Sequence, residues 1–200
     1  MPRGASLKLQ TNNGEIEVSD VARLTATSQA GSVTLVKVQT ETNVTTIGGE
    51  ISVRDSTGSF KLHTVGGSVV ARDLNPAAAD DAFEADIVGG EVTVDRVRHQ
   101  RLRVNTVSGE VDYTGPLARG GRYSFQSISG RLRLTLPANS SFRLSGTVGN
   151  NGDLRSDFNL TEKDHSSQRG SMRQLDAVVG SGDASINLSF FTGSIQIRKQ

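Results

Sequence analysis

A glycine flanked by the same pattern of side chains recurs along nearly the whole chain, and this repeat limits the possible folds more than any other feature. Its clearest copy is Leu102-Arg-Val-Asn-Thr-Val-Ser-Gly-Glu-Val-Asp-Tyr113. Counted from Gly109, apolar or small residues stand seven, five and three places before it (Leu102, Val104, Thr106) and two and four places after it (Val111, Tyr113). Strict alternation on both sides of a glycine predicts two half-buried strands joined at a corner, because strand side chains face alternate sides with a period of two.

Other copies centre on Gly14, Gly31, Gly49, Gly67, Gly90, Gly130 and Gly193. The glycines from Gly14 to Gly130 are 17, 18, 18, 23, 19 and 21 residues apart, so length varies while register holds. The insertions fall between units, in stretches of turn chemistry such as Asp55-Ser-Thr-Gly-Ser59 and Gly115-Pro-Leu-Ala-Arg-Gly-Gly121. Asn75 before Pro76 has the form of an N-cap and first helical residue, which predicts one helical turn over Pro76 to Asp81. A further copy starts with Phe142 and Leu144 but dissolves into Gly149-Asn-Asn-Gly-Asp153. The polar stretch 155–175 predicts a protruding loop or hairpin, followed by a strand through Leu175, Ala177 and Val179.

A unit of this size cannot bury its apolar side alone and becomes stable only when neighbours stack on it. The expected fold is therefore all-β: one domain over 1–200, a parallel β-solenoid of about nine irregular coils, wound right-handed as parallel crossovers are. An antiparallel sandwich also has short alternating strands, but it has no reason to keep one residue class at one offset from a glycine through successive units. The column three places before the glycine reads Thr11, Ser28, Thr46, Thr64, Ile87, Thr106, Ser127. Small hydroxylated side chains there suit a crowded corner whose backbone they can bond. The glycine itself is expected to hold a positive φ.

Composition narrows the chemistry. The 200 residues include no cysteine, which excludes disulfides and thiolate metal sites. A formal charge of +1 gives no overall attraction to nucleic acid or an anionic membrane. No apolar run approaches the roughly 18 residues of a membrane span, and the first residues lack the apolar core of a secretory signal. His63, His99 and His165 lie far apart, with no second histidine or carboxylate at metal-ligand spacing, and are read as solvated. No phosphate loop and no nucleophile elbow occurs. No catalytic, cofactor or metal residue is assigned.

The candidate ligand face is the outward column directly after each glycine, with Glu50, Glu91, Glu110 and Arg131 its charged members. If Glu91 and Glu110 occupy adjacent coils, their carboxylates lie close enough to hold a cation or to act as an acid and base pair. A plain solvated ladder, with Arg131 offsetting the glutamates, is the competing reading. Asp80-Asp81 and Gly149-Asn-Asn-Gly-Asp153 match no calcium loop and are read as turns.

Units such as Val104-Asn-Thr-Val-Ser-Gly-Glu-Val111 and Phe125-Gln-Ser-Ile-Ser-Gly-Arg-Leu132 resemble those of the bacterial adhesin-like family of unknown function, the DUF4097 type. So does the ending, a glycine pair at Gly180 and Gly182 before the last repeat and a basic tail. The resemblance spans essentially the whole chain and rests on structural repeats. It implies a β-helical protein of the cell envelope, extracellular or periplasmic, with an adhesive or scaffolding role and no catalysis. Expected partners are surface polysaccharide or envelope protein and no nucleic acid. Leu7, Leu9, Ile16 and Val18 of the first coil face an open end, so the chain is expected either to be cut from a longer protein or to self-associate through that N-terminal coil. The alternatives are a carbohydrate-active solenoid enzyme using the glutamate ladder, or a self-associating structural polymer.

Overall fold

The computed structural model of the chain describes residues 5–149, 152–162 and 172–200, and they build a single sheet system of stacked coils. Each of the first four coils pairs a long strand with a short one across a corner. They are β1 (Ser6–Asn13) with β2 (Ile16–Ser19), β3 (Arg23–Ala30) with β4 (Val33–Val36), β5 (Glu41–Gly48) with β6 (Ile51–Arg54), and β7 (Ser59–Gly66) with β8 (Val69–Arg72). In the next three the strand runs unbroken through the corner: β9 (Ala82–Asp95), β10 (Arg101–Thr114) and β11 (Arg122–Leu136). All pair in parallel, each glycine-centred unit in register with the next: Leu102 lies between Phe83 and Tyr123, and Gly109 between Gly90 and Gly130.

Alternation drives this packing. Val104, Leu62, Val44 and Phe125 point inward and are essentially inaccessible, while Arg103, Lys61 and Arg122 between them are exposed. The buried stack is a continuous column of aliphatic and aromatic side chains with edge-on contacts such as Tyr113 against Tyr123, 5.9 Å between centroids. The hydroxyl column lies beneath the corner as expected. Thr46 and Ser127 donate to the carbonyls of Gly48 and Ser129 at 3.0 and 3.1 Å, whereas the hydroxyls of Ser28, Thr64 and Thr106 have no partner.

Positive φ is only part of the reason for glycine at the corner. Gly31, Gly49 and Gly90 do take φ between 119° and 133°, but Gly67 in the same column does not. What the column shares is stacking. A Cβ on Gly67 would lie inside the van der Waals shell of the Gly49 carbonyl, and one on Gly90 inside that of Gly67. A second corner follows the short strands, where Asp20, Lys37, Asp55, Asp73 and Arg96 hold φ between 49° and 57°. That conformation costs a side-chain-bearing residue about 1 kcal/mol, offset by an N–H bond to the next coil, as from Asp55 to the Arg72 carbonyl at 3.2 Å.

The coils do not number nine in sequence order. About six turns wind in order, between the corners of Gly14 and Gly130, and the rest of the chain is rearranged. β12 (Phe142–Gly149) and β13 (Gly152–Ser156) lie one layer beyond β16 (Ala184–Lys199), which therefore sits between them and β11 although it comes last in sequence. β15 (Met172–Val179) runs antiparallel to β12 on its outer side and carries the two-residue β14 (Thr161–Glu162). The connection from β15 to β16 thus passes across the start of β12 through residues 180–183, with Gly180 and Gly182 at φ 64° and 74°. The Ser141 hydroxyl accepts from the N–H groups of Gly182 and Asp183 at 2.9 and 3.2 Å and fixes that crossing.

The irregular copy also has a register different from the expected one. Leu144 pairs with Ile186, Val148 with Phe190 and Gly152 with Gly193, so Gly152 takes the corner in place of Gly149, after one extra residue. Of the stretch expected to protrude, its first two residues end β13, β14 lies within it and β15 begins at Met172; 163–171 lie outside the described residues.

Two further expectations are corrected. Pro76 to Asp81 is a turn and not a helix: the Asp81 carboxylate accepts from the N–H groups of Ala77 and Ala78 at 2.6 and 2.7 Å and closes it. His99 is not solvated. It is wholly buried, with Nε2 2.6 Å from the Gly58 carbonyl and its ring edge-on to Phe60. Isolated in sequence among polar residues, it carries no local sign that an insertion folds it under the neighbouring coils.

Candidate functional site

The corner glycines place the residues that follow them in one outward column. Glu91 and Glu110 are register partners, as the spacing predicts, and Arg131 is the next partner of Glu110. Glu50 is not brought to them, since Ser68 occupies the intervening coil. Arginines from the following coil claim Glu110 and the neighbouring Asp112. Arg131 Nη1 lies 3.2 Å and Arg133 Nη2 3.4 Å from Glu110 Oε1, and Arg133 Nη1 lies 2.9 Å from Asp112 Oδ1. Glu91 accepts from the Thr93 hydroxyl at 3.3 Å.

This arrangement is an ion-pair ladder. A cation held between Glu91 and Glu110 would have to displace the guanidinium groups from Glu110, and among the described residues no cluster of three or more metal-ligating side chains occurs. The carboxyl held above the ordinary range here is Asp112; burial raises it, the Arg133 charge opposes that, and the charge of Glu110 adds to it. Asp112 faces Arg133 and therefore not a free carboxylate of the kind an acid and base pair requires. Two other acidic candidates, Asp81 and Asp153, are also engaged. Asp153 pairs with Arg155 at 2.8 Å. Burial works against ionisation of Asp81, but bonds from Ala78, Ser59 and Ala77 outweigh it and hold this carboxyl below the usual range. His63 is exposed, as expected, and His165 lies outside the described residues.

A second surface lies across the corner. Ile47, Val65, Val88, Val107, Ile128 and Phe191, each two places before its glycine, are between 42% and 57% exposed and form one continuous apolar stripe down six coils. A contiguous exposed apolar patch of this kind marks an interaction surface more often than chance. Beside it runs a polar column, and between the two lies a groove of about 360 Å³ lined by His63, Asp86, Asn105, Gln126 and Ser189 with three of the apolar residues. Asn105 donates to Asp86 Oδ1 at 2.6 Å, and its own buried carbonyl oxygen has no partner. Sequence reading that counts inward positions passes over the stripe, although the residues two places before Gly49, Gly67, Gly90, Gly109, Gly130 and Gly193 are all apolar.

The family model described as Toastrack DUF4097 matches residues 2–198 of the chain. No curated protein and no solved structure matches the chain.

Proposed function

The chain belongs to the Toastrack DUF4097 family, and on that premise we propose that it is a non-catalytic interaction module of the cell envelope, an adhesin-like or scaffolding rod that presents a solenoid face to surface polysaccharide or an envelope protein. The observation that carries this reading is the apolar stripe with its polar groove, a rigid surface repeated at the coil spacing of roughly 4.8 Å. A face built on strands needs little ordering to bind, which favours recognition of a repetitive partner.

The glutamate ladder speaks for the same reading. Glu110 bonds to two arginines and lines a wide depression of about 630 Å³ with Arg131 and Ser194, which stands open to solvent and does not exclude water from a reaction. The test is incubation of the protein with a panel of envelope polysaccharides, reading both retention and reducing-end release. Retention without release supports the proposal. Release that Glu91→Gln or Glu110→Gln abolishes would replace it with the enzyme reading. Fractionation of the natural host, with the protein followed by antibody, tests the compartment; recovery in the cytosol alone would remove the envelope assignment.

A further inference from the structure

Charge on the long-strand face is divided along the rod. In β9 and the coils before it, Arg23 pairs with Glu41 at 3.1 Å and Lys61 with Glu84 at 4.0 Å. From β10 through β11 and β16 to β12, the outward positions hold Arg101, Arg103, Arg122 and Arg143 and no carboxylate. All four arginines are exposed, and none has a carboxylate within 4.0 Å among the described residues. Arg101 bonds only to the backbone carbonyl of Asp80. The area is bounded by Glu84 and Asp86 on β9, occupied by Lys61 and Asn105, by Asp80, which lines one pocket with Arg101 and Arg122, and by Asp176 on β15.

Resting on the reading of the chain as a non-catalytic surface module, we propose that this area binds a carboxylate-bearing linear polysaccharide laid along the rod axis. Its columns match the parts of such a chain. Arg101 and Arg122 are register partners, with Arg103 two residues along, and guanidinium forks take carboxylates in bidentate fashion. The neighbouring column of Asn105, Gln126 and Ser189 supplies amide and hydroxyl groups for sugar hydroxyls. Val107, Ile128 and Phe191 then offer an apolar ledge to the C–H faces of the rings.

Other polyanions fit less well. An extended acidic peptide repeats its side chains on one face about every 7 Å, out of step with coils about 4.8 Å apart. Single-stranded nucleic acid is held by stacking on several aromatic side chains, and Phe191 is the one large exposed aromatic among the described residues. An anionic membrane meeting the apolar stripe would also meet Glu91 and Glu110 just across the corner.

The experiment is calorimetric titration of the whole chain with an oligoglucuronate and with the uncharged gluco-oligosaccharide of the same linkage and length. The oligoglucuronate is expected to bind and to weaken as salt rises. Replacing Arg101, Arg103 and Arg122 together by glutamine should weaken it ten-fold or more, and Arg54→Gln on the short-strand side should leave it within two-fold. Single Arg103→Gln and Arg122→Gln variants, each expected to weaken binding three-fold or more, answer the question if the triple variant does not fold. Equal affinity for the uncharged glycan, no effect of the arginine variants, or tighter binding to oligothymidylate or to phosphatidylglycerol vesicles would overturn the proposal. Uncharged-glycan binding that survives the triple variant would do so while leaving the surface-module reading intact. Glycan cleavage abolished by Glu91→Gln, with arginine-dependent binding retained, would remove that reading and support this one.

Discussion

His99 Nε2 donates a hydrogen bond to the carbonyl oxygen of Gly58, 2.6 Å away and 41 residues earlier in the chain. The bond assigns the proton to Nε2 and leaves Nδ1, also buried, as an acceptor without a partner. Burial lowers the affinity of this imidazole for a second proton; the bond to Gly58 and the charge of Asp81 oppose that only in part. The folded pKa lies below the usual 6.5, so in acid the unfolded chain binds a proton that the native one resists. Stability from the neutral form is complete above that value and declines as the pH falls from it toward the folded pKa. Urea midpoints measured from pH 8 to about pH 5 should show this decline, and His99→Gln should flatten it. An identical slope in the variant would place the titrating group elsewhere.

The corner column separates two reasons for glycine. Gly67 lacks the left-handed φ, yet its Cα is packed onto the Gly49 carbonyl, whereas a Cβ on the adjacent Gly66 meets its nearest heavy atom at 3.8 Å. Gly67→Ala should therefore cost about 2–4 kcal/mol by chemical denaturation, as overpacking against backbone that cannot yield. Gly66→Ala should change stability by less than about 1 kcal/mol. Equal effects would mean that the coils can part at the corner.

Much of this architecture is legible in the sequence because the repeat is a local pattern with a fixed offset. Val104 and Gly109 alone indicate which side chains turn inward and where the strand bends, and the register of Glu91 on Glu110 follows. The order of the last strands does not. That β16 lies between β11 and β12 is decided by pairing across the whole C-terminal region, and no residue of Ala184–Lys199 signals it locally. The shifted register of β12 is hidden in the same way by a single extra residue before Gly152. Nor does the sequence separate a free glutamate ladder from a neutralised one, since Arg133 reaches Glu110 diagonally from the next coil.

Ser141 holds the crossing that allows this order. Its hydroxyl accepts from Gly182 and Asp183 and contacts the Ser181 hydroxyl at 2.9 Å, so the turn closes on one side chain. Ser141→Ala strands two N–H donors at a partly buried site and should cost about 1–2 kcal/mol. Ser140→Ala, one residue earlier, should cost nearly nothing. Amide exchange should quicken in β15 and β16 of the Ser141 variant and not in β3 or β5. Uniform acceleration would show that the crossing is not a separate locus of stability.

At the opposite end, β1 pairs with β3 on one side, and among the described residues nothing pairs with the other. Leu7 and Leu9 are only half-buried, while their register partners Leu24 and Ala26 are 0% and 1% exposed, so the apolar cross-section of the first coil is partly open to water. An unpaired strand edge beside half-buried leucines is a template for pairing. We propose that a second copy covers it, the two β1 edges meeting antiparallel about a two-fold axis, as an isologous contact requires. Light scattering should then show mass rising with protein concentration, and Leu9→Lys should hold the chain monomeric without lowering its melting temperature by more than about 5 °C. A wild-type chain that stays monomeric at millimolar concentration with slowly exchanging β1 amides would show that this coil is stable without a partner.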